Sequence, residues 1–163
     1  MLTTSKITER TATHFAAIIQ EVRIPFGEAI GPAMGEVAGY LESMKVQGFG
    51  PAVFKYDVVD MPRLVVGFGF VTPGPIVGDD RVKPGVLPAG RYVTATHTGP
   101  YDNLEKATGE VIAWAHANGV RWDSRPEGSG ERFASRFEIY PNGPNDEPDP
   151  NKWITEIWVK TRD

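Results

Sequence analysis

The sequence predicts an α+β domain: two tandem β-α-β-β modules related by pseudo-two-fold symmetry, with one antiparallel sheet carrying helices on one face and a ligand cleft on the other. Three observations predict it. Segments with the three-to-four spacing of a helical face alternate with short runs rich in strand formers, in the order strand, helix, strand, strand, given twice. A stretch rich in proline and glycine, about residues 72–88, separates the two sets. The helical segments also match: Ala33-Met34-Gly35-Glu36-Val37 stands beside Ala107-Thr108-Gly109-Glu110-Val111, and each closes on an aromatic, Tyr40 or Trp114.

Met1 to Arg10 is polar and is expected to fray, although Ile7 can begin a strand. His14 to Val22 is apolar, rich in strand formers and stops before Pro25, so it reads as the first secure strand. From Ile30 the period changes, and Met34, Val37, Ala38, Leu41 and Met44 fall on one helical face. Pro32 fits the first turn of that helix and Gly48 its stop. Val53–Val58 and Leu64–Val71, separated by Asp60-Met61-Pro62-Arg63, read as a hairpin. Pro73, Pro75, Pro84 and Pro88 exclude a helix or central strand from the linker. Arg91 to Thr98 alternates as a strand, Gly99-Pro100-Tyr101 turns the chain, and Asp102 with Glu105 resembles a capping box. The helix that follows buries Leu104, Ala107, Val111 and Trp114 and ends at Asn118-Gly119. Asp123–Glu131 reads as a polar loop, Phe133–Tyr140 as a strand, Pro141–Pro150 as a connection and Trp153–Lys160 as the last strand.

The whole of 1–163 is thus expected to form one domain, with a first repeat of about 7–71, a linker of about 72–88 and a second repeat of about 89–160. A chain of this length buries roughly 70% of the surface its unfolded form exposes, enough for a core without staples. Its 17 basic and 21 acidic residues give a net charge of −4 with no basic cluster, which argues against non-specific phosphate binding. It has no cysteine, and His14, His97 and His116 lack metal-ligand spacing, so neither metal nor other cofactor is expected. The absence of a leader or long apolar run points to a cytoplasmic protein off the membrane. No phosphate loop, nucleophile elbow or dinucleotide fingerprint occurs.

One segment stands out: Arg136-Phe137-Glu138-Ile139-Tyr140 places a carboxylate between bulky apolar neighbours in a strand. Strand parity puts Arg136, Glu138 and Tyr140 on one face and Phe137 and Ile139 on the other. If the apolar pair packs on the helices, Glu138 faces the cleft, where it must find a partner or shift its pKa upward. That partner is either Arg136, as a permanent internal ion pair, or a ligand cation. By the repeat, Tyr56 corresponds to Tyr140 and Phe54 to Glu138, so the expected ligand-binding set is Glu138, Tyr140, Tyr56 and Phe54, with Phe68 and Trp153 as further candidates. Phe70 and Trp158 are lesser candidates of the same kind, with core or surface packing as the alternative for all four. His97 is expected to hold the Gly-Pro turn by a hydrogen bond, with a general base as the alternative. This register sends Lys55 toward the helix, where its stem must snorkel out.

His97-Thr98-Gly99-Pro100-Tyr101, Leu104, Trp114, Phe137-Glu138-Ile139-Tyr140, Thr155 and Ile157, in that order, resemble the gyrase-inhibitor-like (GyrI-like) small-molecule-binding domain. That domain also forms the effector half of some multidrug-responsive transcription regulators. The resemblance implies two tandem modules around a pocket in which an acid matching Glu138 meets cationic, lipophilic small molecules. It also implies a stand-alone form, since no basic helical segment for a DNA-binding domain is present. Some stand-alone members look like hydrolases of cyclopropane-bearing natural products, so an alternative is catalysis by Glu138 with Tyr140. A third alternative, a protein-interaction module that inhibits a topoisomerase, rests on the family name alone. The residues leave oligomeric state open.

Overall fold

Strand formers dominate the chain, and in the computed structural model, which describes residues 1–162, they pair into one curled, ten-stranded antiparallel sheet. The elements in chain order are β1 (Lys6–Arg10), β2 (Thr13–Arg23), α1 (Gly27–Ser43), β3 (Ala52–Asp60), β4 (Arg63–Val71), β5 (Lys83–Leu87) and β6 (Gly90–Thr98). Then follow α2 (Leu104–Ala117), β7 (Ser124–Glu127), β8 (Gly130–Phe133), β9 (Arg136–Tyr140) and β10 (Ile154–Lys160). The main sheet runs β1-β6-β10-β9-β3-β4-β2-β5, and the β7–β8 hairpin hangs from β3. The expected α+β class is therefore the one observed. β3, the strand after α1, and β9, which follows α2 beyond the β7–β8 hairpin, lie innermost, and these two pair to form a central seam.

Several local expectations change. The N-terminal segment does not fray: β1 pairs with β6, and Thr3 donates its backbone N–H to the Thr96 carbonyl at 2.9 Å. Helix α1 starts at Gly27, so Pro32 lies inside it rather than in its first turn. It ends at Ser43, well before Gly48, because Lys45 takes the left-handed position (φ 59) and the N–H of Val46 bonds the Leu41 carbonyl at 3.0 Å. Helix α2 ends in the same motif with Gly119 (φ 70) in the place of Lys45, as its sequence predicts. Its start has no capping box: Tyr101–Asn103 form a 3-10 turn and Asn103 makes no side-chain cap. The linker stretch carries β5, where Pro84 is tolerated because the strand lies at the sheet edge. The polar loop 123–131 supplies most of the β7–β8 hairpin. His97 holds its turn as expected, with Nε2 3.2 Å from the Pro100 carbonyl.

The core explains where the chain leaves room. Helix α1 packs through Ala33, Val37 and Leu41 on β2 and β4, and α2 packs through Ala107, Val111 and Ala115 on β6 and β10. The sheet's other face closes on itself: Phe15 and Ala17 of β2 and Leu87 of β5 join Tyr92 of β6 and Phe137 and Ile139 of β9 in one cluster. This corrects the expected position of the cleft. Phe137 and Ile139 pack in the curl of the sheet, not on the helices, so the opening lies on the helix-bearing face, over the seam that neither helix covers. Lys55 consequently points away from the helices, on the side of Val53, and pairs with Asp57 at 2.5 Å.

The curl demands close backbone approach. A Cβ on Gly69 of β4 would lie 1.8 Å from the Ala16 carbonyl oxygen of β2, whereas one on exposed Gly39 of α1 would meet nothing within 4 Å. Opposite outcomes follow. Gly69→Ala should destabilise by about 2 kcal/mol or more, since backbone has to move. Gly39→Ala should stabilise by about 0.5–1 kcal/mol, the helix-interior advantage of alanine. Urea denaturation of both variants checks this; a Gly69→Ala as stable as the parent would contradict the register.

Candidate functional site

Register across the seam sets the site. Glu138 on β9 lies opposite Phe54 on β3 and opposite Ile157 on β10, with its side chain on the helix-bearing face. Tyr140 is two residues further along the same strand and Tyr56 lies diagonally across the seam, within aromatic reach. Both phenols donate to one carboxylate oxygen: Tyr56 Oη to Oε1 at 2.8 Å and Tyr140 Oη to Oε1 at 2.5 Å. The second oxygen, Oε2, accepts no hydrogen bond from the described residues, and it is not among the fully buried side-chain atoms lacking a partner. It therefore opens onto the space between the helices.

That space is a cavity of about 1520 Å³, larger than the few hundred to a thousand cubic ångströms usual for small-ligand pockets. Ile30 and Met34 of α1, Leu104 and Ile112 of α2 and Phe54 of β3 give it apolar walls. Gly35 and Gly109, the glycines matched between the two halves, line it from opposite helices, and a Cβ on either would meet nothing within 4 Å. Acidic groups surround it: Asp102, Glu105, Glu131 and Asp146 line it together with Glu138, against the single basic residue Arg136 among the described residues.

Burial raises the Glu138 carboxyl above the ordinary glutamate range, although the Tyr140 and Tyr56 hydrogen bonds and the Arg136 charge oppose the shift. Burial likewise pushes both phenols well above their usual value, reinforced by the adjacent carboxylate, so both hydroxyls stay protonated and donate. Arg136 does not clasp the acid: among the described residues no cation forms an ion pair with Glu138 within 4 Å, and the Arg136 guanidinium lies over the Phe133 ring at 4.9 Å. The permanent internal ion pair that the strand parity left open is absent.

Four of the expected residues, Glu138, Tyr140, Tyr56 and Phe54, thus line the cavity together. Phe68 and Trp153 do not. Phe68 is fully buried behind Phe54, with ring centroids 5.0 Å apart, and Trp153 stacks on Tyr101 at 4.6 Å, which in turn meets Tyr140 at 5.7 Å. They brace the wall from behind, because Phe68 packs beneath α1 and Trp153 is fixed by its indole N–H to the Glu147 carbonyl at 2.8 Å. Residues missed from sequence include Tyr101 and the helical lining. The one available signal for the latter was the repeated helix-interior glycine, which costs helix stability and here leaves width. Among the described residues no group of three or more histidine, aspartate or glutamate side chains is placed to hold a metal, and no helix is long and apolar enough to cross a membrane.

A large apolar cavity over one sheet seam, with a few convergent polar groups, defines a small-molecule-binding domain. The chain belongs to the GyrI-like small molecule binding domain family, whose model matches residues 3–162. No curated protein matches it. Among solved structures it is similar to EcmrR in a DNA complex, with TM-score 0.71 and 19% identity over 97% of this chain, and it spans 57% of that longer chain. Against the EcmrR C-terminal domain alone the TM-score is 0.66 at 19% identity, covering 98% of this chain and 97% of that one. SAV2435 bound to tetraphenylphosphonium gives 0.59 at 12% identity over 98% and 94% of the two chains. A hydrolase from Listeria innocua gives 0.60 at 16% identity over 96% and 91%. At these identities the likeness speaks for the fold.

The raised carboxyl has a stability consequence whose sign is fixed. A group with a raised folded-state pKa binds protons more readily folded than unfolded, so its contribution is present below the unfolded pKa and lost as pH rises through the folded value. Relative to Glu138→Gln, the parent should therefore lose stability over the range above the unfolded glutamate value of about 4.3, as pH rises toward the raised folded value. Paired urea titrations measure the gap; a gap that stays constant over that range would contradict the buried acid.

Proposed function

We propose that this domain receives amphipathic, lipophilic cations, with Glu138 as counter-charge and Tyr56, Tyr140 and Phe54 as the walls that hold and flank it. The observation that carries this reading is the divided carboxylate. One oxygen is fixed by two phenol donors, which orient the group without neutralising it, and the other is left facing an apolar cavity. A carboxylate in such surroundings is costly without a partner, and a bound cation supplies one while its rings or alkyl groups fill the apolar volume. The acidic rim adds attraction at longer range. The neighbour SAV2435, bound to tetraphenylphosphonium, supports the ligand class, and the EcmrR likeness supports an effector-type role.

Titration with tetraphenylphosphonium should give saturable binding, and Glu138→Gln should weaken it by about 1.5–3 kcal/mol, the scale of a charge-assisted contact. Equal affinity in the two proteins would remove Glu138 from the account.

A second reading, hydrolysis, is favoured by the same triad. A carboxyl whose pKa burial raises can give its proton to a leaving atom when protonated and activate water when ionised, while the phenols steady either state. A structural neighbour is a hydrolase. Incubation with a cyclopropane-bearing electrophile, followed by mass spectrometry, separates the readings: unmodified protein with water-added product means turnover, and an adduct or intact bound compound without product means binding alone.

A further inference from the structure

We propose that the preferred ligands are dipolar: beside the positive charge they carry an anionic or strongly accepting oxygen, which Arg136 binds. This deepens the reading of the site given above and rests on it. Arg136 and Glu138 stand two residues apart on one face of β9, a rise of about 6.6 Å, so the two charged groups project into the cavity side by side.

The arginine is built to receive something. Its guanidinium lies over the Phe133 ring, its central carbon 4.9 Å from the ring centroid. Among the described residues it has no side-chain hydrogen-bond partner and no ion pair within 4 Å, and none of its nitrogens is among the fully buried atoms lacking partners, so its donors face open volume. Arg63, Arg81 and Arg132, by contrast, each hold a glutamate at 2.9 Å or less. A planar fork of five N–H groups, set against an aromatic ring and left without a partner in a largely apolar cavity, matches the geometry of a carboxylate. Were Arg136 present only to balance Glu138, the two would gain most by pairing, and they do not pair.

The test uses rhodamine B, whose free carboxylate accompanies its cationic xanthene, and its ethyl ester, which keeps the cation and loses the anion. Calorimetric titration of the intact chain should show the free acid binding about tenfold or more tighter than the ester. Arg136→Gln should abolish that preference by weakening the acid while leaving the ester unchanged or tighter, since a like charge has been removed; Arg136→Lys should retain part of it. Glu138→Gln should weaken both dyes. Should Arg136→Gln fail to fold, as its melting curve would reveal, the parent's acid-to-ester ratio and Arg136→Lys decide. A parent that binds the ester as well as the acid, or an Arg136→Gln that weakens both alike, overturns the proposal while leaving the cation site standing. Binding of neither dye overturns both.

Discussion

The structure turns on one carboxylate oxygen shared by two phenols across the β3–β9 seam. Tyr56 comes from the first half of the chain and Glu138 and Tyr140 from the second, so the contact exists only when the two halves pair edge to edge in the observed register. An unpartnered buried carboxylate is among the costlier things a domain can contain. Two donors on one oxygen reduce that cost without cancelling the charge, and this incomplete satisfaction distinguishes the site from ordinary core packing. The apolar residues around it serve the same end. Phe54 and Phe68 meet edge to face at 5.0 Å, and Tyr101 and Trp153 stack at 4.6 Å, so Tyr140, between Phe54 and Tyr101, is braced by rings on both sides.

The arrangement of layers follows from how each half buries its apolar surface. Each helix covers the outer strands of its own half, and the free face of the sheet is used up by curling, with Tyr92, Phe137 and Leu87 filling the bend. The seam strands remain, covered by neither. A cavity over the β3–β9 seam thus follows from helices that each cover only the strands beside it, and Gly35 and Gly109 on the facing helices keep it wide. Charge is distributed to match: acids around the opening draw cations inward, and at depth Glu138 stands near a stacked arginine.

Much of this was legible in the chain. The change from period two to period three or four placed both helices, and the parity of Arg136 to Tyr140 correctly separated Glu138 and Tyr140 from Phe137 and Ile139. What parity cannot express is which face the helices choose, and that choice was misread: Phe137 and Ile139 look like a helix-facing pair but fill the curl. The misreading also made Lys55 appear misplaced, when it lies on the far side beside Asp57. Boundaries failed where tertiary context overrode local rules. Lys45 takes a left-handed cap without being glycine, Pro84 sits in a strand because that strand is an edge, and Asp102 and Glu105 line the cavity opening instead of capping α2. Phe68 and Trp153 were indistinguishable from wall residues by type, since depth behind a wall leaves no periodic mark.

The central claim is that Glu138 is an acid kept ready for a cation. Carbon-13 NMR of the Glu138 carboxyl across a pH titration, free and with tetraphenylphosphonium at saturation, tests it most directly. The account predicts a midpoint above the ordinary glutamate range in the free protein and a clear fall on binding, because the cation stabilises the ionised form. A midpoint in the ordinary range, or one that the bound cation leaves unmoved, would contradict it.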